Sequence, residues 1–373
     1  MELKNNLTVP YAGLDLQAGA IKQDLLEAFE RVLLSGQYIL GPEVAGFEKE
    51  FAGFCQTPFA IGVANGSSAL HLVLRGLGVK EGDEVITAPN SFIASASSIA
   101  LAGAKPVFVD VRPDLNIDPG QLEKAITPHT RVIMPVHLTG RPAAMPEILE
   151  IAKRRKIFVL EDAAQAVGAR LRGKRVGSWG DAACFSLHPL KNLHAFGDGG
   201  VITTREASLY EYLLKARNHG LKNREECEFW SFNSRLDEIQ AAMLRVKLKL
   251  LDRDTEKRRA LAFRYNQLLK SLAVVPEEGP EEYHVYQTYM IQAERRDALK
   301  KYLNEEGVQA AVHYPTLIPM QPAAKHLGYS AKDFPIAAKA ATRILSLPLF
   351  PGMTEAQQDR VVECIQQFYK GKS

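Results

Sequence analysis

At 373 residues the chain exceeds one ordinary core, and its length predicts two domains or one large domain with an appendage. Apolar residues make up 46% and charged residues 24%, which excludes disordered, fibrous and membrane-embedded classes. The 46 basic and 43 acidic side chains leave a formal charge of +3 and are interspersed, so no field suited to nucleic acid arises.

Seven apolar, β-rich runs follow in chain order, at 59–64, 84–88, 106–110, 131–137, 157–161, 182–186 and 200–204. Helical stretches at 68–77, 93–102, 119–125 and 146–154 separate most of them. That alternation predicts an α/β fold around a mostly parallel seven-stranded sheet with flanking helices, whose ligands bind at the carboxyl ends of the strands. The basic run Lys153-Arg154-Arg155-Lys156 ends one of these helices, where cations are favoured. From Leu236, the spacing of Ile239, Ala242, Met243, Val246, Leu250 and Leu251 predicts one long amphipathic connector helix. Beyond it, runs at 285–291 and 308–314 around a helical stretch at 296–306 predict a smaller C-terminal α/β domain. The expected domains are 1–250 and 251–373.

The opening MELKNNLTVPYAG has no apolar signal core and no run reaches the length of a membrane span, so a cytoplasmic protein is expected. Cys55, Cys184, Cys227 and Cys364 show no Cys-x-x-Cys spacing, and the histidines form no His-x-x-x-His pair. Neither a disulfide framework nor a metal site is expected.

Three segments carry chemistry. In GVANGSSALHL, residues 62–72, a strand ends at Asn65-Gly66 and a helix begins at Ser67-Ser68, so that backbone amides and hydroxyls meet where an anion binds. Taken alone, this segment is better explained as a plain strand–turn–helix with a serine N-cap. In FVLEDAAQAVGA, residues 158–169, a strand delivers Glu161-Asp162 to its carboxyl end, with Gln165 three residues on. An acid there serves a site or a helix cap equally well. In DAACFSLHPLKNLHAFGDGGVITT, residues 181–204, Ser186 and Lys191 occupy an apolar loop between two strands, where desolvation favours the neutral, nucleophilic amine. The glycines do not form Gly-x-Gly-x-x-Gly, so a dinucleotide fold is not supported.

Together the segments supply what pyridoxal 5′-phosphate (PLP) requires: a lysine for the imine, an acid for the pyridine nitrogen, and donors for the phosphate. The chain resembles the DegT/StrS family of sugar aminotransferases, which has the aspartate aminotransferase fold (PLP-dependent transferase fold type I). The likeness runs through Gly36-Gln37-Tyr38-Ile39-Leu40-Gly41, Asn65-Gly66-Ser67, Pro89-Asn90-Ser91-Phe92, Glu161-Asp162-Ala163-Ala164-Gln165, the lysine loop, Asn218-His219-Gly220, Asn233-Ser234-Arg235 and His313-Tyr314-Pro315.

The resemblance implies that Lys191 forms the internal aldimine and moves the proton, that Asp162 pairs with the pyridine nitrogen and that Gln165 meets the phenolic oxygen. It further implies that Phe92 stacks on the ring, that Gly66, Ser67 and Ser186 hold the phosphate, and that Asn233 of the partner subunit reaches it in a homodimer. Arg235 would meet the donor's carboxylate and His313 the sugar. Val167 departs from the family's frequent histidine, and Ser67-Ser68 from its Gly-Thr-x-Ala pattern. The implied reaction passes an amino group from glutamate, through pyridoxamine phosphate, to a ketone of a nucleotide-linked sugar in glycan or lipopolysaccharide synthesis. A sugar dehydratase, a cyclitol-ketone aminotransferase and a non-catalytic sensor are the alternatives.

Overall fold

A computed structural model of the chain describes residues 8–371, so the first seven residues of the opening segment lie outside it. Among the described residues, seven strands form the main sheet: β1 (Phe59–Val63), β2 (Glu84–Thr87), β3 (Lys105–Phe108), β4 (Thr130–Met134), β5 (Phe158–Asp162), β6 (Ala182–Ser186) and β7 (Gly200–Thr204). Their order is β1-β7-β6-β5-β4-β2-β3, and only β7 runs antiparallel to its neighbours. Helices cover both faces, which is why the strands read as continuous apolar runs rather than alternating ones. Separate buried clusters lie on the two sides, one holding Phe47, Phe51 and Phe185, the other Leu70, Leu72 and Ile202.

The predicted connector is two helices, Glu238–Leu248 and Leu251–Leu269, meeting at Lys249-Leu250. Its buried residues also differ from the single face expected. Ala241, Leu244 and Leu248 join the sheet-side core, while Ala242 with Ile239 and Val246 packs against Ala28 and Val32. A helix wedged between two others buries two sides, and its alanines let both approach closely. The carboxylate of Glu238 at its start accepts from the amides of Gly41, Glu43 and Val44, each at 2.8 Å, and so caps the helix Pro42–Cys55.

In the C-terminal part, β8 (Tyr289–Gln292) pairs antiparallel with β9 (Ile344–Leu347), beside the helices Arg296–Glu305 and Glu355–Lys370. The run at 308–314 forms no strand. It makes single bridges, Val308 to Val9 and Ala311 to Ser346, and thereby brings the N-terminal segment alongside. Among the described residues no helix is long and apolar enough to cross a membrane.

Candidate active site

The parallel strands of the sheet point the same way, so the loops leaving β1, β2, β4, β5 and β6 meet at one edge around a cavity of about 620 Å³. That volume lies within the roughly 300–1,000 Å³ of ligand sites. Gly66, Ser67, Phe92 and Ser186 line it, as do Asp162, Gln165, Lys191 and His313. Asn233 and Arg235 do not. Asn233 is exposed and bridges to Asn218, whose side chain also accepts from Arg235 Nη1 at 3.0 Å.

At one end of the cavity the helix Gly66–Gly76 presents its N-terminus. The cap is Asn65 rather than a serine: its Oδ1 accepts from the amide of Ser68 at 2.8 Å. An extended Asn65 leaves the Gly66 and Ser67 amides and the Ser67 hydroxyl without a protein acceptor, beside the hydroxyl of Ser186. A Cβ on Gly66 would stand 2.9 Å from Ser186 Cβ, and one on Gly200 would stand 2.5 Å from the Asn65 carbonyl carbon. Glycine at both places lets the donors converge, and unpaired amides at a helix start suit a phosphate.

Alternation along β5 separates its two acids. Glu161 faces away from the cavity, accepting from His137 Nε2 at 3.1 Å and from the amides of Gly177, Trp179 and Gly180 at 2.8–2.9 Å. Because His137 Nδ1 accepts from the amide of Ala143, Nε2 carries the hydrogen and the imidazole is neutral. Burial alone would raise the Glu161 pKa, but these hydrogen bonds hold it below the ordinary carboxylate value. Asp162 faces the cavity. Burial raises its pKa, opposed by hydrogen bonds from Ser95 Oγ to Oδ2 at 2.7 Å and from the Ala164 amide to Oδ1 at 3.2 Å, and by the charge of Lys191.

Gln165 is oriented by its surroundings. Its Oε1 accepts from the amide of Thr139 at 2.6 Å, which turns the Nε2 hydrogens toward the cavity and Tyr314. Phe92 stands at the N-cap of the helix Ile93–Leu101, half exposed to the cavity, with its ring 5.5 Å from that of Tyr314. Lys191 sits in the loop between β6 and β7, where burial pushes its pKa down to about 8 against the opposing pull of Asp162. His313 is lowered to about 4 by burial and by Lys191, and its Nδ1 lies 2.9 Å from Ser346 Oγ. It therefore stays neutral over the physiological range.

Several lining residues escaped the sequence analysis. Tyr11 comes from the N-terminal segment, held by the Val9 bridge and by Gln309 Oε1 on its amide, and its ring lies 5.7 Å from that of His313. Ser91, Ser95, Thr288 and Tyr314 also line the cavity. Of these, only Ser91 and Tyr314 fall within quoted motifs, and no periodicity marks the rest.

The sheet order, the buried lysine and the acid at its carboxyl edge define a class: a PLP enzyme of the aspartate aminotransferase architecture. Residues 20–366 match the DegT/DnrJ/EryC1/StrS aminotransferase family, and the chain belongs to that family. It is 46% identical to a pleiotropic regulatory protein of Geobacillus stearothermophilus, over 98% of this chain and 99% of the relative. It is 41% identical to dTDP-3-amino-3,4,6-trideoxy-alpha-D-glucose transaminase of Streptomyces venezuelae, over 96% of each. Among solved structures, S. venezuelae DesV in complex with a ketimine intermediate superposes with a TM-score of 0.94 at 41% identity, covering 97% of this chain and 98% of that one. NtdA of Bacillus subtilis, solved with bound cofactor PMP, gives 0.91 at 32% identity, covering 99% of this chain and 86% of that one. The chain is a PLP-dependent aminotransferase.

Proposed function

We propose that this aminotransferase moves an amino group from glutamate to a ketone on a nucleotide-linked sugar, with Lys191 as the proton carrier. The observation that carries the reading is the presence of Lys191, Asp162, Gln165 and an unpaired phosphate-type donor set in one cavity. The sugar rests on the relative named for a dTDP-linked amino sugar and on the 38% identical UDP-N-acetyl-3-dehydro-alpha-D-glucosamine 3-aminotransferase of Acidithiobacillus ferrooxidans.

Bound PLP supplies an electron sink and carries the amino group between the two substrates. The Gly66 and Ser67 amides with the Ser67 and Ser186 hydroxyls hold its phosphate, and Phe92 covers a ring face. Gln165 donates through Nε2 to the phenolic oxygen. Asp162, as a carboxylate, holds a proton on the ring nitrogen. Lys191 Nζ takes a proton from the donor's α-carbon and returns it on the cofactor side, acting as base and then acid. His313, neutral and beside Tyr11, faces the remaining space, where a sugar hydroxyl fits.

Among the described residues the cavity of one chain is lined by no arginine that could meet a donor carboxylate and by one lysine, Lys191. A second subunit supplies the remaining contacts in this reading, with Asn233 of the partner subunit on the phosphate and Arg235 on the donor. Trp230 and Phe232, 96% and 62% exposed beside Asn233, favour a covered surface there. We place the domain division near residue 250. Core residues 262–365 with Val9 form their own cluster, although 317–341 return to the main sheet. Four free cysteines fit the reducing cytoplasm.

Product analysis with glutamate and a panel of keto sugars tests the reading. The expected products are 2-oxoglutarate and an amino sugar in equal amounts. Release of a dehydrated sugar without 2-oxoglutarate identifies a dehydratase, turnover of only free cyclitol ketones identifies that aminotransferase, and binding without turnover identifies a sensor.

The depressed lysine predicts a second result. With a pKa of about 8 rather than 10.5, Lys191 holds roughly 300-fold more neutral amine at pH 7. Capture of PLP by the apoprotein, followed by stopped-flow absorbance, is expected to accelerate with pH to a midpoint near 8 and then level off. A rate that climbs unchanged beyond pH 9 contradicts it.

A further inference from the structure

We propose that Ser95 is a positioning residue for catalysis: its hydroxyl, donating to Asp162 Oδ2 with Ser91 behind it, keeps that carboxylate ionised so that the cofactor's ring nitrogen retains its proton. The proposal rests on the role given to Asp162 above.

Ser95 lies in the first turn of the helix Ile93–Leu101 and is 1% exposed, so its hydroxyl is out of reach of bulk water. Its oxygen is 2.7 Å from Asp162 Oδ2 and 2.8 Å from Ser91 Oγ. Proton counting settles the direction. An ionised carboxylate only accepts, so the single Ser95 hydrogen points at Asp162, and the Ser95 oxygen accepts from Ser91. Each hydroxyl polarises the next, which strengthens the bond that reaches the carboxylate.

The charged and titratable groups around Asp162 are few. Lys191 approaches from the loop after β6, Cys184 from β6, His137 from the segment after β4 and Tyr314 from the C-terminal part. His137 is spent on Glu161, and neutral Cys184 and Tyr314 add no cation. Burial favours the protonated acid, and in a dry site the proton between carboxylate and ring nitrogen goes to whichever side is better solvated by fixed donors. Ser95 and the Ala164 amide are those donors on the carboxylate side. Without Ser95 the proton moves toward Asp162, the ring becomes neutral, and it accepts electrons less well.

The test compares wild type, Ser95→Ala, Ser91→Ala and Asp162→Asn as PLP-loaded enzymes. The first readout is the pH midpoint of the Lys191–cofactor absorbance. A positive ring nitrogen repels the proton of the Lys191–cofactor C=N bond, so neutralising the ring raises that midpoint. Ser95→Ala is expected to raise it by about one pH unit and to lower kcat about tenfold, with little change in the sugar KM. Ser91→Ala is expected to shift it in the same direction by less. An unmoved midpoint in folded Ser95→Ala overturns the proposal, since a merely structural serine leaves the chromophore alone. If Ser95→Ala does not fold, an unmoved Ser91→Ala midpoint overturns it instead. Asp162→Asn separates the two levels: if that variant also leaves the midpoint and kcat in place, the role of Asp162 itself fails. If only Asp162→Asn shifts, the failure belongs to Ser95.

Discussion

Lys191→Ala is expected to lower amino transfer by about 10⁴-fold, because in the proposed reading it removes both the covalent anchor and the amine that carries the proton. Cofactor binding is expected to survive, since the helix-start amides, Ser186, Gln165 and Asp162 are untouched. Single-turnover assays with the cofactor in its aminated form, alongside equilibrium dialysis, check both halves. In the wild-type enzyme loaded with PLP, borohydride followed by peptide mass analysis is expected to place a pyridoxyl group on Lys191. A label elsewhere, or retained turnover in the alanine variant, refutes the assignment. The same variant probes the second subunit. Mixed with Asn233→Ala chains, which the proposed reading expects to lose activity on their own, it creates dimers with one intact site, so about a quarter of all sites recover on random pairing. No recovery on mixing means that Asn233 does not act across an interface.

Asp162→Asn is expected to cost about 10²–10³-fold in kcat, or ~3–4 kcal/mol of transition-state stabilisation. An amide NH₂ presented to the ring donates to an unprotonated nitrogen, which stabilises the wrong form of the ring. The loss is not expected to come from unfolding. The Asp162 pKa is raised in the folded chain by burial, so the folded state binds the proton more tightly than the unfolded one. Stability owed to this residue is thus present at acid pH and lost as pH rises through the folded value. At neutral pH the buried carboxylate is a net cost, which asparagine removes. Calorimetry of the apo variant is expected to show a Tm no lower than wild type near pH 7. A fall of many degrees there contradicts this account.

The main sheet was legible because its chemistry is local. Strands buried on both faces must be continuous apolar runs, and all seven predicted runs coincide with strands to within about three residues at either end. The helix Pro119–Ala125 matches its predicted bounds, marked by Asp118 as cap and proline at the first position. The connector was misread because the apolar spacing from Ile239 to Leu251 reports which residues avoid water, not how many neighbours share them. Two flanking helices bury both sides of Glu238–Leu248. The 308–314 run read as regular structure for the same reason: its burial comes from single bridges to Val9 and Ser346.

For the site, residue type and order along the chain were readable, and spatial partnership was not. Lys191 in an apolar loop, Asp162 at a strand end and Gly66 before a helix each announce a backbone or solvation requirement within a few residues of themselves. The cavity that gathers them depends on the parallel sheet aligning its carboxyl ends. The hydrogen bonds that set their chemistry link Ser95 to Asp162 across 67 positions, Thr139 to Gln165 across 26 and Gln165 to Tyr314 across 149. Such bonds leave no periodic trace, because a hydrogen bond depends on distance in space and not on separation in the chain. The sequence alone therefore determined the sheet, its strand runs and the residue types a B6 site needs. Only the tertiary structure decided that Asn65 caps the helix Gly66–Gly76, that Gln165 turns its amide hydrogens inward, and that Asp162 has a serine at its back.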